Sequence, residues 1–130
     1  MIGLMELVAL KYLDRDNAYR RQLAKWYREN LGGNEKVRFI EINPECESST
    51  HLVQIRVKNR EELMLALNEH QVYPGVHYRD NTEYRMYAHG NGTCPKAALA
   101  SQEIISLPVH MGLSKADVDT VSQLVAKYAK

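Results

Sequence analysis

Apolar and polar positions follow a helical rhythm at both ends of the chain and a two-residue alternation in its middle. Residues 4–31 contain no proline, and Gly32-Gly33 then stops the run, so the pattern predicts one long helix with room for a bend. Tyr12, Tyr19, Leu23 and Trp26 place an apolar stripe on its second half. Asp14, Arg15, Asp16 and Asn17 form a polar girdle that belongs in water or between two packed ends. The opening turns differ. Leu4, Met5, Leu7, Val8, Ala9 and Leu10 point in almost every direction, and a helix apolar all round is expected to be buried on every side. A small sheet covers one side only, so the other faces call for a second chain or another domain, the plainer alternative being a frayed terminus.

After the glycines, residues 37–42 read as a short strand and 43–50 as a polar loop. Val53, Ile55 and Val57 alternate with Gln54 and Arg56, which predicts a clearer strand over 51–57. Asn59 and Glu62 read as an N-cap pair opening a helix to about His70, and residues 72–78 return as a strand with Pro74 at a sheet edge. Pro95 suits the first turn of a helix that Ala98, Ser101, Ile104 and Ile105 continue to about Ser106. Ser114 and Asp117 form a capping box, Leu113 is placed to staple onto Val118, and Val118, Val121, Val125 and Tyr128 make a buried stripe. The fold class expected is α+β: one two-layer domain over residues 1–130, with a small mixed or antiparallel sheet, helices on one face, and the long N-terminal helix.

Composition narrows the partners. The 130 residues carry a formal net charge of +1, too little to gather nucleic acid or a membrane surface. Cys46 and Cys94 are far apart and lack CxxC spacing, so reduced thiols are expected. The apolar start has no basic residue before it and is interrupted by Glu6, which supports neither a signal peptide nor a membrane span; a soluble cytoplasmic protein is expected.

Candidate chemistry concentrates in one loop. His51, His70, His77, His89 and His110 show no HxxH or Cys-His spacing, so no metal site is expected. No G-x-S-x-G nucleophile motif is present, and Gly90-Asn91-Gly92 reads as a turn. Residues 77–87 instead crowd polar and aromatic groups together. His77, Tyr78, Arg79, Asn81, Tyr84 and Arg85 are the substrate-binding candidates, able to grip a phosphate or sugar through guanidinium forks, hydroxyls and ring stacking. The competing reading is a solvated connection whose tyrosines pack onto neighbouring helices.

Several motifs in order resemble the small C-terminal domain of the DegT/DnrJ/EryC1/StrS sugar aminotransferases. ELVALKYLDRDN, from Glu6, is similar to the family's interdomain helix, with Tyr27 and Leu31 matching its continuation; the strand from His51 matches one that usually begins with histidine and an aliphatic residue. Gly75-Val76-His77-Tyr78 looks like the family's GVHY segment, and Ser106-Leu107-Pro108 with His110 like its SLP-x-H turn. Many members follow His-Tyr with prolines and a further histidine, where this chain reads Arg79-Asp80-Asn81-Thr82-Glu83-Tyr84.

The resemblance implies a family activity dependent on pyridoxal phosphate (PLP), whose Schiff-base lysine and most phosphate contacts lie in an N-terminal large domain. No stretch of these 130 residues matches that domain, and the lysines here sit on helix surfaces or at element ends. No cofactor is expected in this chain, and PLP enters only if a partner chain supplies the large domain. The expected function is a stand-alone small domain, inactive alone, forming a homodimer or higher oligomer through the helix over residues 1–13. The alternatives are a subunit completing a split PLP-dependent nucleotide-sugar aminotransferase, and a non-catalytic nucleotide-sugar-binding module.

Overall fold

The computed structural model describes the backbone of residues 2–130 and side chains from Met5 onward, so Met1 and the side chain of Leu4 lie outside the described residues. The chain runs α1 (Ile2–Leu10), α2 (Leu13–Leu31), β1 (Arg38–Phe39), β2 (Val53–Arg56), α3 (Arg60–Glu69), α4 (Pro95–Glu103), β3 (Ile104–Leu107) and α5 (Lys115–Tyr128). The sheet is antiparallel throughout in the order β1-β2-β3, with Arg38 opposite Arg56, Ile55 opposite Ile105 and Val53 opposite Leu107.

Alternation in β2 turns Val53 and Ile55 into the core, and β3 adds Ile105 and Leu107 to the same face. Against them pack Leu23, Tyr27 and Leu31 of α2, Leu63 and Leu67 of α3, and Val118, Val121 and Val125 of α5. Burying each such aliphatic side chain contributes about 1.5–3 kcal/mol, so this cluster carries most of the fold's stability. Tyr19 and Tyr27 donate their hydroxyls to the carbonyls of Leu113 and Pro108 at 2.6 and 3.0 Å, pinning the connection from β3 to α5 onto α2. The expected capping box opens α5: Ser114 accepts from the Asp117 N–H while the Asp117 carboxylate accepts from the Ser114 N–H.

Several expectations are corrected. The N-terminal helix is two helices, because the Lys11 and Tyr12 N–H groups bond back three residues to Val8 and Ala9, tightening the last turn of α1. The polar girdle is therefore the start of α2, where Asp14 and Asp16 meet the positive end of the helix dipole. The buried stripe of α2 is Leu23-Tyr27-Leu31, while Tyr19 and Trp26 are half-buried in edge-to-face contact and Tyr12 is exposed.

The strand over 37–42 shrinks to Arg38–Phe39. The strand over 72–78 shrinks to a bridge between Gly75 and Ser106, since Pro74 has no N–H to give a ladder. Ile104 and Ile105 belong to β3 instead of the preceding helix, because pairing with β2 outweighs helical continuation for β-branched residues. Asn59 makes no side-chain cap; its amide donates to the Tyr128 carbonyl at 2.9 Å and its carbonyl accepts from the Lys130 N–H at 2.9 Å.

Candidate ligand-binding site

The outer face of the sheet, opposite the core, receives the segment that follows Pro74. Gly75 and Ser106 exchange backbone hydrogen bonds of 3.0 and 2.7 Å, laying this segment against β3. Gln54 of β2 donates its side-chain amide to the His77 carbonyl, and His77 Nδ1 lies 2.9 Å from the Ser106 hydroxyl. The imidazole also crosses Gly75 so closely that a Cβ there would stand 2.5 Å from His77 Cε1. A side chain at position 75 would push the ring off Ser106, which is the physical need for that glycine.

Beyond His77 the chain leaves the sheet. Asp80 accepts hydrogen bonds from the Thr82 N–H (2.9 Å) and hydroxyl (2.8 Å), capping a 3-10 turn over Asn81–Glu83. A second 3-10 turn follows over Arg85–Gly90, and Gly92 takes a φ of 77° before α4 begins. The first of these turns and the near face of α4 border an open cavity of about 780 Å³. One wall is polar and aromatic, from Tyr78, Arg79, Asp80, Asn81, Thr82 and Tyr84. The other is Val76, Cys94, Ala97, Ala100, Ser101 and Ile104.

Small residues on α4 leave room for a ligand body, while the loop supplies a guanidinium fork, an amide and two phenols. That is the make-up of a small-molecule site: an apolar seat with a few polar groups that fix orientation. The cavity also lies within the roughly 300–1,000 Å³ usual for such sites. The Arg79 fork suits a phosphate or carboxylate, and the phenols of Tyr78 and Tyr84 suit hydroxyls or ring stacking.

Among the sequence candidates, Tyr78, Arg79, Asn81 and Tyr84 line the cavity. His77 turns to the sheet, and Arg85, exposed on the second turn, is not in the lining. The α4 wall was not singled out from the sequence, although Ala97, Ala100, Ser101 and Ile104 recur at helical spacing. Thr82 was also missed; its signal is the Asp-x-Thr turn.

A second groove, about 540 Å³, runs between α2 and residues 42–50. Its cations already have partners: Arg21 pairs with Glu47 at 3.1 Å, Lys25 approaches Glu29 at 3.9 Å, and Arg28 donates to the Ile40 carbonyl. Among the described residues no group of three or more His, Cys, Asp or Glu is placed to hold a metal ion, and no helix is long and apolar enough to cross a membrane.

Comparison with known proteins gives one consistent match. The sequence profile of the DegT/DnrJ/EryC1/StrS aminotransferase family matches residues 2–126. The dTDP-3-amino-3,6-dideoxy-alpha-D-galactopyranose transaminase of Aneurinibacillus thermoaerophilus is 27% identical over 124 residues, covering 93% of this chain and 34% of the relative. The erythromycin biosynthesis sensory transduction protein EryC1 of Saccharopolyspora erythraea is 30% identical over 118 residues, covering 88% and 32%. In three dimensions the chain superposes on Streptomyces venezuelae DesV, solved in complex with a ketimine intermediate, with a TM-score of 0.87 at 25% identity, covering 92% of this chain and 33% of that one. The chain thus spans about a third of the length of the curated relatives it matches.

Proposed function

The chain belongs to the DegT/DnrJ/EryC1/StrS aminotransferase family, and from that membership we propose that it is the family's small C-terminal domain, inactive in transamination by itself and self-associating through α1. The family is one of PLP-dependent sugar aminotransferases. An aldimine with PLP needs a lysine amine in a desolvated pocket. Every lysine of this chain is exposed, and none lines the 780 Å³ cavity, so the residues present do not fit that cofactor.

The observation that carries the self-association is the exposure of α1. Met5, Leu7, Val8 and Leu10 are 71%, 62%, 49% and 61% exposed, on a helix whose described side chains include a single charge, Glu6. Single exposed apolar residues are ordinary; a whole helix of them marks an interface. Sedimentation of the chain at micromolar concentration tests this: a concentration-dependent dimer or larger species is expected, and a purely monomeric profile overturns it.

The cavity supports a second, compatible reading, binding of a nucleotide-linked sugar without chemistry on this chain. The motivation is the pairing of the Arg79 fork and the two phenols with an apolar floor, together with the dTDP-sugar named for the first relative. Titration with a dTDP-linked hexose, followed at the Tyr78 and Tyr84 ring resonances, is expected to give saturable shifts. Their absence removes this reading and leaves the first untouched.

A further inference from the structure

A further groove lies at the β1 side of the sheet, sharing no lining residue with the 780 Å³ cavity. The register sets Arg38 of β1 directly opposite Arg56 of β2, on the same face of an antiparallel pair. Like charges in that position repel, so the arrangement calls for a compensating anion. Arg56 has one: its Nε and Nη2 donate to Glu103 Oε2 at 3.0 and 2.7 Å. Arg38 has none among the described residues, and neither do Lys36 and Lys58, which stand beside it.

These groups line one groove of about 270 Å³ with Lys130 and Glu35. Five basic side chains and two carboxylates line the groove, an excess of three positive charges that falls to two once Glu62, the partner of Lys130, is counted, in a chain whose whole net charge is +1. Lys130 is already drawn to Glu62 at 2.6 Å, which leaves Lys36, Arg38 and Lys58 as the free cations. Their backbone is fixed. Val37 between Lys36 and Arg38 is buried, as is Val57 before Lys58; the Lys36 N–H donates to Asn34 Oδ1 and the Val57 N–H to the Glu103 carbonyl.

We infer that the groove between β1, β2 and the end of α4 is an anion site for a phosphate or diphosphate group, gripped by Arg38 with Lys36 and Lys58. A planar guanidinium fork flanked by two point charges on a rigid base suits a phosphoryl group with several oxygens. The volume lies just below the roughly 300–1,000 Å³ of sites that enclose a drug-sized ligand, so the groove holds the charged group and leaves the rest of its bearer outside.

The test is heteronuclear NMR of the 130-residue chain at low ionic strength, titrated separately with inorganic phosphate, pyrophosphate and dTDP. Saturable shifts of the amides at residues 36–38 and 56–58 are expected, stronger for pyrophosphate than for phosphate. Arg38→Gln should weaken binding about tenfold, the loss of one charge-assisted contact. Arg38 is exposed, so the variant keeps its fold, and Lys58→Gln provides an independent second loss. Equal affinity for dTDP and pyrophosphate identifies the diphosphate alone as the ligand, and tighter dTDP binding adds its nucleoside; either supports the site. Shifts that chloride reproduces at equal ionic strength, or an unchanged affinity in both variants, overturn it.

Discussion

His77 Nδ1 stands 2.9 Å from the hydroxyl of Ser106, a residue 29 positions away in sequence, and this contact ties the loop that follows Pro74 to the central sheet. The two residues belong to the GVHY and SLP-x-H motifs. His77 thereby acts as an anchor, and the cavity lining starts one residue later, at Tyr78.

Ser106→Ala should free the imidazole and loosen the loop with little change in the core. The cost is about 1 kcal/mol, the net worth of one hydrogen bond, read as a modest drop in Tm. Amide exchange at Gly75, His77 and Tyr78 should accelerate well beyond that of Ile55 or Val125; uniform acceleration throughout the domain would show that Ser106 serves packing instead.

Tyr27→Phe should destabilise by about 1–2 kcal/mol, because the half-buried Pro108 carbonyl loses its donor while the ring still fills the core. Burial, and then the negative charge of Asp117, push the Tyr27 hydroxyl well above its ordinary value. The folded state therefore keeps this phenol neutral while the unfolded chain ionises it at a pH of about 10. The hydroxyl's stabilisation is complete below that range and is lost as pH rises further. Alkaline spectrophotometric titration should show one tyrosine ionising only with unfolding, and Tyr27→Phe should remove that late step.

Ser114→Ala should lower Tm at neutral pH by breaking the capping box. Hydrogen bonds from the Ser114 hydroxyl and then its backbone N–H hold the Asp117 carboxyl below its usual value. Stability from a lowered carboxyl is present above a pH of about 4 and is lost as pH falls through the folded value. The gap between wild type and variant should accordingly narrow in acid; a constant gap from neutral pH to strongly acid solution would contradict the capping account.

Leu7→Glu combined with Val8→Glu should abolish association without lowering Tm of the monomer, since both side chains are exposed in the single chain. Sedimentation and thermal unfolding measured together decide this. A fall in Tm at a concentration where the protein is monomeric would instead place α1 in the chain's own core.

Local patterns that need no distant partner were legible in the sequence. The Ser114-Asp117 box stands as read, as does the burial of Val53, Ile55 and Val57 and of Val118, Val121 and Val125, because each depends on local spacing; the strand expected over 51–57 is shorter, Val53–Arg56, and Tyr128 at the end of the α5 stripe is half-buried. Misreadings fell where a long-range contact overrode local preference. Ile104 and Ile105 left a helical pattern to pair with β2, and Asn59 abandoned the cap to hold residues 128 and 130. The α2 stripe was displaced because Tyr27 and Leu31 were set in the core by α5 and the sheet, a choice that periodicity leaves open among adjacent positions.

The sequence alone determined the α+β class, the family to which the motifs point, and the loop rich in aromatic and charged groups. Only the tertiary structure decided which of those loop residues share a cavity. Backbone pairing of Gly75 with Ser106 turns His77 onto the sheet and releases Tyr78, Arg79, Asn81 and Tyr84 toward α4. It also set Arg38 against Arg56, since register is fixed between strands and cannot be read from either strand by itself.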